Sequence, residues 1–184
     1  MRVFNGVAEL EAAVGAHLGH SGWHEISQEQ VNRFAEATRD HQWIHVDPER
    51  AAQGPFGTTI AHGFLTLALL PMLTAEVYSV TGVSMGVNYG TEKVRFPVRV
   101  PVGSRVRGGV ELMGVKPSSL GYQVATRVTV ELEGGDKPAC VAESLAVVVP
   151  RSPSLPRRRG STSRDSGLGL ADLISGAGNQ FGRA

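Results

Sequence analysis

Polar and apolar positions along the chain change period once, near Gly82. Before that point the spacing is helical. In "SQEQVNRFAEAT", Val31, Phe34, Ala35 and Thr38 recur along one face, and Ser27 with Gln30 makes a capping-box start. Asp40 falls just past the predicted helix end. Asp47-Pro48 reads as an N-cap followed by proline at the first helical position. The short helix it starts should run to about Gln53, where Gly54-Pro55-Phe56-Gly57 breaks it. "GFLTLALLPMLTAEVY", Gly63 to Tyr78, is apolar nearly all round, which predicts a helix buried on most sides. Pro71 lies in its middle. It should bend the helix and leave the carbonyl of Leu67 without its usual partner.

After Gly82 the period drops to two. "VSMGVNYG", "TEKVRFP", "SRVRGGVELMGV", "GYQVATRVTVELE" and "PACVAESLAVVV" are rich in β-branched residues and separated by Gly, Pro and Ser. Tyr122, Val124, Thr126, Val128, Val130 and Leu132 share one face. Trp23 and His24 fit a first strand and its packing. Helices followed by a run of antiparallel strands make an α+β fold, an antiparallel sheet wrapped around one long central helix. A sheet covers only one side of a helix. A second subunit is therefore expected on the other side, most simply a homodimer.

Composition narrows the partners. The chain has 184 residues, 41% hydrophobic and 19% charged, and a net charge of +1 gives no reason to expect nucleic acid. The charge is uneven. Residues 151–184 hold six Arg and two Asp, a net of +4, which leaves 12 basic and 15 acidic residues, a net of −3, in residues 1–150. Because the stretch 151–184 is also rich in Ser, Gly and Pro, it is expected to be a disordered tail, with one domain over 1–150. The single Cys140 precludes an intramolecular disulfide, fits a reducing compartment and reads as a small core residue. "MRVFNGVAELEAAVG" lacks the charge and apolar pattern of a secretory signal. The longest apolar stretch, Ile60 to Ala75, falls short of the ~20 residues that span a bilayer. A cytoplasmic location is the expectation.

The candidate chemistry sits in "ATRDHQWIHVDPERAA". An acid, Asp40, and an imidazole, His45, flank a Trp-Ile pair. On spacing alone these could be a capping acid and a core histidine. Two neighbours raise the functional reading: the capped helix that leads in, and "AHGF" at the start of the apolar helix. Free N–H groups at a helix start favour developing negative charge, which is what an oxyanion site needs. "HQWIH" also carries the two histidines of a zinc-protease motif. That motif needs Glu after the first His, and Gln42 cannot take a proton. No metal site is expected.

These residues resemble the MaoC-like, (R)-specific enoyl-CoA hydratases, which have the hot-dog fold. Phe34, Thr38, Asp40, Ile44, His45 and Ala51 fall in register with that family's motif. "AHGF" is similar to its His-Gly at the central helix, and "KVRFPVRVPVGSRVR" to its later strand pair. The likeness runs from about Trp23 to Val149. Arg39 stands where the motif has Gly, Gln42 where it has Asn and Trp43 where it has Pro.

The resemblance implies a reaction: reversible hydration of trans-2-enoyl-CoA to (R)-3-hydroxyacyl-CoA. Asp40 and His45 would grip one water, and the Gly63 amide would steady the enolate-like thioester oxygen. Arg39, Gln42, Trp43, His62 and Arg95 are the candidate substrate contacts. No cofactor is implied, since coenzyme A arrives as part of the substrate. An acyl carrier protein remains open as the alternative carrier. A hot-dog thioesterase and a non-catalytic acyl-thioester-binding subunit are the competing readings, because one fold hosts all three.

Overall fold

A computed structural model describes residues 1–151. The predicted tail, 152 onward, lies outside the described residues. The chain opens with β1 (Arg2–Phe4) and α1 (Val7–Glu11), then β2 (His17–His20) and β3 (His24–Glu25). Next come α2 (Gln28–Thr38), α3 (Trp43–Val46) and α4 (Pro48–Ala52). The apolar helix is split into α5 (Gly63–Ala68) and α6 (Leu70–Val77). Then follow β4 (Tyr78–Val80), β5 (Val83–Arg95), β6 (Arg105–Ser118), β7 (Gly121–Leu132) and β8 (Cys140–Pro150).

The sheet order is β2-β6-β7-β8-β5, all antiparallel, with β3 also paired to β6. Register shifts along β5 and at Leu112/Gly114 of β6 add the local twist that bends a sheet around its contents. Those contents are α5 and α6. Leu65, Leu69, Leu70, Leu73 and Val77 pack with Val106, Val110, Leu112, Val124, Val128 and Val130 in one core. The predicted alternation in β7 holds: Val124, Thr126, Val128 and Val130 point inward and the residues between them are half-buried. Cys140 is fully buried in the same core. Separately, β1 pairs in parallel with β4, clipping the chain start to the end of the central helix; Phe4 meets Tyr78 edge-on.

Several expectations need correction. The apolar helix is not buried on most sides. Phe64 is 72% exposed, and Met72, Ala68, Pro71 and Ala75 are also exposed. Pro71 does more than bend it: Leu69 marks the junction of two helices, and Pro71 stands in the first turn of the second, where a missing N–H costs least. "VSMGVNYG" and "TEKVRFP" form one strand, not two. The short elements β1, α1 and α3 were not foreseen, being too brief to show a period.

Gly108 of the sheet lies close against Leu73 of the central helix. A Cβ built there would lie 2.9 Å from the Leu73 Cβ. Gly108→Ala should therefore push the central helix away and destabilise the protein by about 1–3 kcal/mol, read as a lowered urea midpoint with unchanged slope.

Candidate active site

The site is a loop laid across the entrance of the central helix. Ser27 caps α2 by accepting from the Gln30 N–H at 3.2 Å. The helix ends at Arg39, whose backbone is left-handed, φ 64° and ψ 18°. It is the one non-glycine residue with positive φ among those described. This explains why the family pattern calls for Gly there: a left-handed helix end suits a residue without Cβ. The turn delivers Asp40, which stays half-exposed at 56%. Its Oδ1 faces the Gln42 N–H at 3.4 Å. Gln42 then caps a single helical turn, its carbonyl accepting from the His45 N–H at 2.9 Å. Asp47 accepts from the Arg50 N–H at 3.0 Å to start α4, as the Asp-Pro pair predicts.

Two contacts to the Ile60 main chain, one from the main chain and one from a side chain, fix this loop to the segment entering α5. The Ile60 N–H donates to the Ile44 carbonyl at 3.0 Å. The Ile60 carbonyl accepts from Nδ1 of His45 at 2.6 Å. A carbonyl can only accept, so Nδ1 carries the hydrogen and Nε2 keeps its lone pair. Gln28 closes the frame: its amide donates to the His45 carbonyl at 2.7 Å, and its oxygen accepts from the Thr59 hydroxyl at 2.5 Å.

His45 is 7% exposed. Burial pushes its pKa below the ordinary 6.5, the Ile60 bond pulls it back up, and the imidazole of His62 adds to the lowering. The net direction is down, so the ring is a neutral base at pH 7. The His62 ring stacks on it, with centroids 3.8 Å apart and planes at 25°. His62 Nε2 lies 3.0 Å from the main-chain carbonyl of Asp40 and 4.0 Å from its carboxylate. The shorter contact is the hydrogen bond; the longer exceeds hydrogen-bond length.

Gly63 opens α5 directly after His62, and no side chain caps that helix. Its amide belongs to the first turn, whose N–H groups have no partner within the helix. The absence of a side chain at Gly63 is also steric: a Cβ there would sit 3.2 Å from the Phe96 ring. Beyond Gly63 a cleft of about 730 Å³ runs between the central helix and strands β5, β7 and β8. Leu67, Leu70, Pro71, Tyr78, Val87 and Val148 are among its lining residues.

The structure thus brings Asp40, His45, His62 and Gly63 to one place, with the Gln42 backbone between the first two. The remaining candidates make their contacts elsewhere. Arg39 is exposed at the helix end. Trp43 is half-buried, with its ring edge against Gly54 and the Arg50 guanidinium over its face at 4.5 Å. Arg95 folds back onto the Val94 carbonyl at 2.8 Å. Gln28, Thr59 and the Ile60 carbonyl were missed, because neither a lone polar residue at a helix start nor a main-chain oxygen leaves a mark in sequence.

One group among the described residues has metal-like spacing: donor atoms of Asp40, His45 and His62 lie within 4.8 Å of one another. The fit is poor. Stacked rings aim their nitrogens along parallel planes, not at a common centre, and each ring commits one nitrogen to a carbonyl. Tetrahedral ligation needs converging lone pairs at ~2.0–2.1 Å.

The chain as a whole is similar to known proteins. Residues 9–133 match the family model described as a MaoC like domain. The chain is 62% identical over 146 residues to 3-hydroxyacyl-thioester dehydratase Z of Mycobacterium tuberculosis (strain ATCC 25618 / H37Rv), spanning 79% of this chain and 97% of that one. It is 43% identical to nodulation protein N of Rhizobium leguminosarum bv. viciae, over 77% of this chain and 90% of that one. In fold it resembles an (R)-hydratase from Pseudomonas aeruginosa, with a TM-score of 0.61 at 24% identity, covering 84% of this chain and 96% of that one.

Arg39 generates a prediction. Arg39→Gly should stabilise the protein by about 1 kcal/mol, seen as a raised thermal midpoint, because it relieves the left-handed strain of a residue bearing Cβ.

Proposed function

Because the chain belongs to the MaoC-like dehydratase family, we propose that Asp40 and His45 together bind one water and add it across the double bond of a trans-2-enoyl-CoA. The product is the (R)-3-hydroxyacyl-CoA, and the reaction runs in both directions. The observation that carries this reading is the Nδ1–H of His45 held on Ile60, which leaves Nε2 as a free neutral base on a ring that has a nitrogen within 4.8 Å of the Asp40 carboxylate.

In the hydration direction, the pair takes a proton from water as its oxygen bonds to Cβ. Electron density moves through Cα to the thioester oxygen, and the pair then returns one proton to Cα. The Gly63 amide donates to the thioester oxygen as it becomes enolate-like. No step calls for a metal or a redox cofactor. The cleft alongside α5 and α6 takes the acyl chain, since it begins one turn beyond Gly63 and is lined mainly by apolar groups. The (R) configuration rests on family resemblance. The carrier of the thioester is coenzyme A, with an acyl carrier protein as the alternative.

We also infer a homodimer formed through β5. This strand lies at the sheet edge, paired to β8 alone, and exposes Met85, Val87 and Tyr89 in alternation. An open edge with apolar side chains is a surface that a second chain covers. Among the described residues no helix is long and apolar enough to cross a membrane.

The reaction is tested by following loss of the conjugated double bond in enoyl-CoAs of graded length, with chiral analysis of the product. Asp40→Asn and His45→Gln should each slow turnover by about 10²- to 10⁴-fold in a protein that stays folded. Near-wild-type hydration by either variant would remove that residue from the mechanism. Release of free coenzyme A thiol, read with a thiol dye, would mark a thioesterase; binding without turnover would mark a non-catalytic subunit. The pH profile has a defined sign. His45 must be neutral to act, and burial lowers its pKa from the ordinary 6.5, so kcat/KM should fall on acidification with a midpoint below that of an ordinary histidine. For the assembly, Met85→Lys, on the same exposed strand but outside the cleft, should shift a sedimenting dimer toward monomer.

A further inference from the structure

We propose that His62 is the positioning residue of this site: its buried imidazole sets the Asp40 main chain and the His45 ring, while its main-chain carbonyl starts the helix that carries the Gly63 amide. The inference rests on the hydratase reading for its catalytic meaning, but its geometry stands independently.

Sequence alone marks His62 as a candidate substrate contact. At 3% exposure it offers a substrate almost no surface. Three different parts of the residue are instead committed to three neighbours. Its Nε2 faces the Asp40 carbonyl at 3.0 Å. A carbonyl only accepts, so Nε2 carries the hydrogen, and the carbonyl before the Arg39–Asp40 turn's exit is held in place. Its ring face lies on His45 at 3.8 Å, while Phe34 sits tilted at 5.0 Å, which blocks rotation. Its own carbonyl accepts the Thr66 N–H at 3.1 Å and the Thr66 hydroxyl at 3.4 Å, which starts α5 and so orients Gly63.

The remaining nitrogen is the telling one. Nδ1 of His62 is the only buried side-chain nitrogen or oxygen among the described residues without a hydrogen-bond partner. A buried acceptor left bare is unusual and calls for a reason. Here the reason is that the ring cannot flip to satisfy Nδ1 without giving up Asp40. The role also explains the residue type. A flat ring is needed for the stack and an N–H at its far end for the carbonyl. Phenylalanine supplies only the first and glutamine only the second.

Two substitutions separate these contacts. His62→Phe keeps a ring and deletes the donor; His62→Gln keeps a donor at similar reach and deletes the ring. Each is measured for kcat and KM on an enoyl-CoA, for its pH profile, and for the His45 titration by NMR of histidine-labelled protein. The groups acting on His45 from the packed elements are Asp40 and His62. Both variants should lose kcat by about 10- to 100-fold with KM unchanged, as misplacement of reacting groups does. In His62→Gln the His45 titration and the acid limb of the rate should move together to higher pH. A raised KM with unchanged kcat would make His62 a substrate contact and overturn the proposal; so would wild-type kinetics in both variants. If neither variant folds, the wild-type spectrum decides. A His62 ring protonated at Nε2, with that hydrogen protected from exchange, supports the proposal, and a ring protonated at Nδ1 overturns it. If the wild-type protein hydrates no enoyl thioester, the hydratase reading fails, while the tautomer and the His45 titration still test the positioning.

Discussion

The main chain of Ile60 is the joint on which the site depends. Its N–H donates to the Ile44 carbonyl and its carbonyl accepts from the His45 ring. A loop of polar residues, which would otherwise lie on the surface, is thereby docked to the segment that enters the central helix. Both ends of the joint are main chain, so it tolerates many side chains at position 60. It does not tolerate movement of the loop. The hydrogen on Nδ1 and the free lone pair on Nε2 follow from that one acceptor, and the neutrality of the ring follows from burial, which outweighs the acceptor's opposite pull.

Long periodic segments were legible in the sequence. The face of β7, the cap at Ser27, the Asp47-Pro48 start and the antiparallel run after Gly82 all emerged as their spacing predicts. The short elements β1, α1 and α3 were not, since they are briefer than the periods that reveal structure and lack a start signal such as the Asp47-Pro48 pair of α4. The apolar helix misled in one respect. Hydrophobicity all round a helix implies burial all round, yet one side is bare in the single chain. The pattern records what the side chains need covered, not what one chain covers.

The candidate site divides in the same way. Asp40, His45 and Gly63, singled out by residue type and company, lie near one another in the structure. His62, a candidate substrate contact on sequence, is 3% exposed in the structure. Arg39, Trp43 and Arg95 were chosen for charge or size, and their contacts lie with a helix end, an Arg50 stack and a neighbouring carbonyl. What sequence could not show was which atoms of the main chain would serve as partners. Gln28 is the plainest case, a residue at a helix start that joins two segments far apart in the chain.

Cys140 has a consequence of its own. It is the sole cysteine of the chain, lies fully buried between helix and sheet, and its pKa is pushed up to about 11 by that burial. The folded core therefore hides the chain's single thiol from alkylating reagents, both sterically and by withholding the thiolate. Modification has to wait for β8 to lift away from the helix, so the rate of labelling becomes a clock for how often this core comes apart.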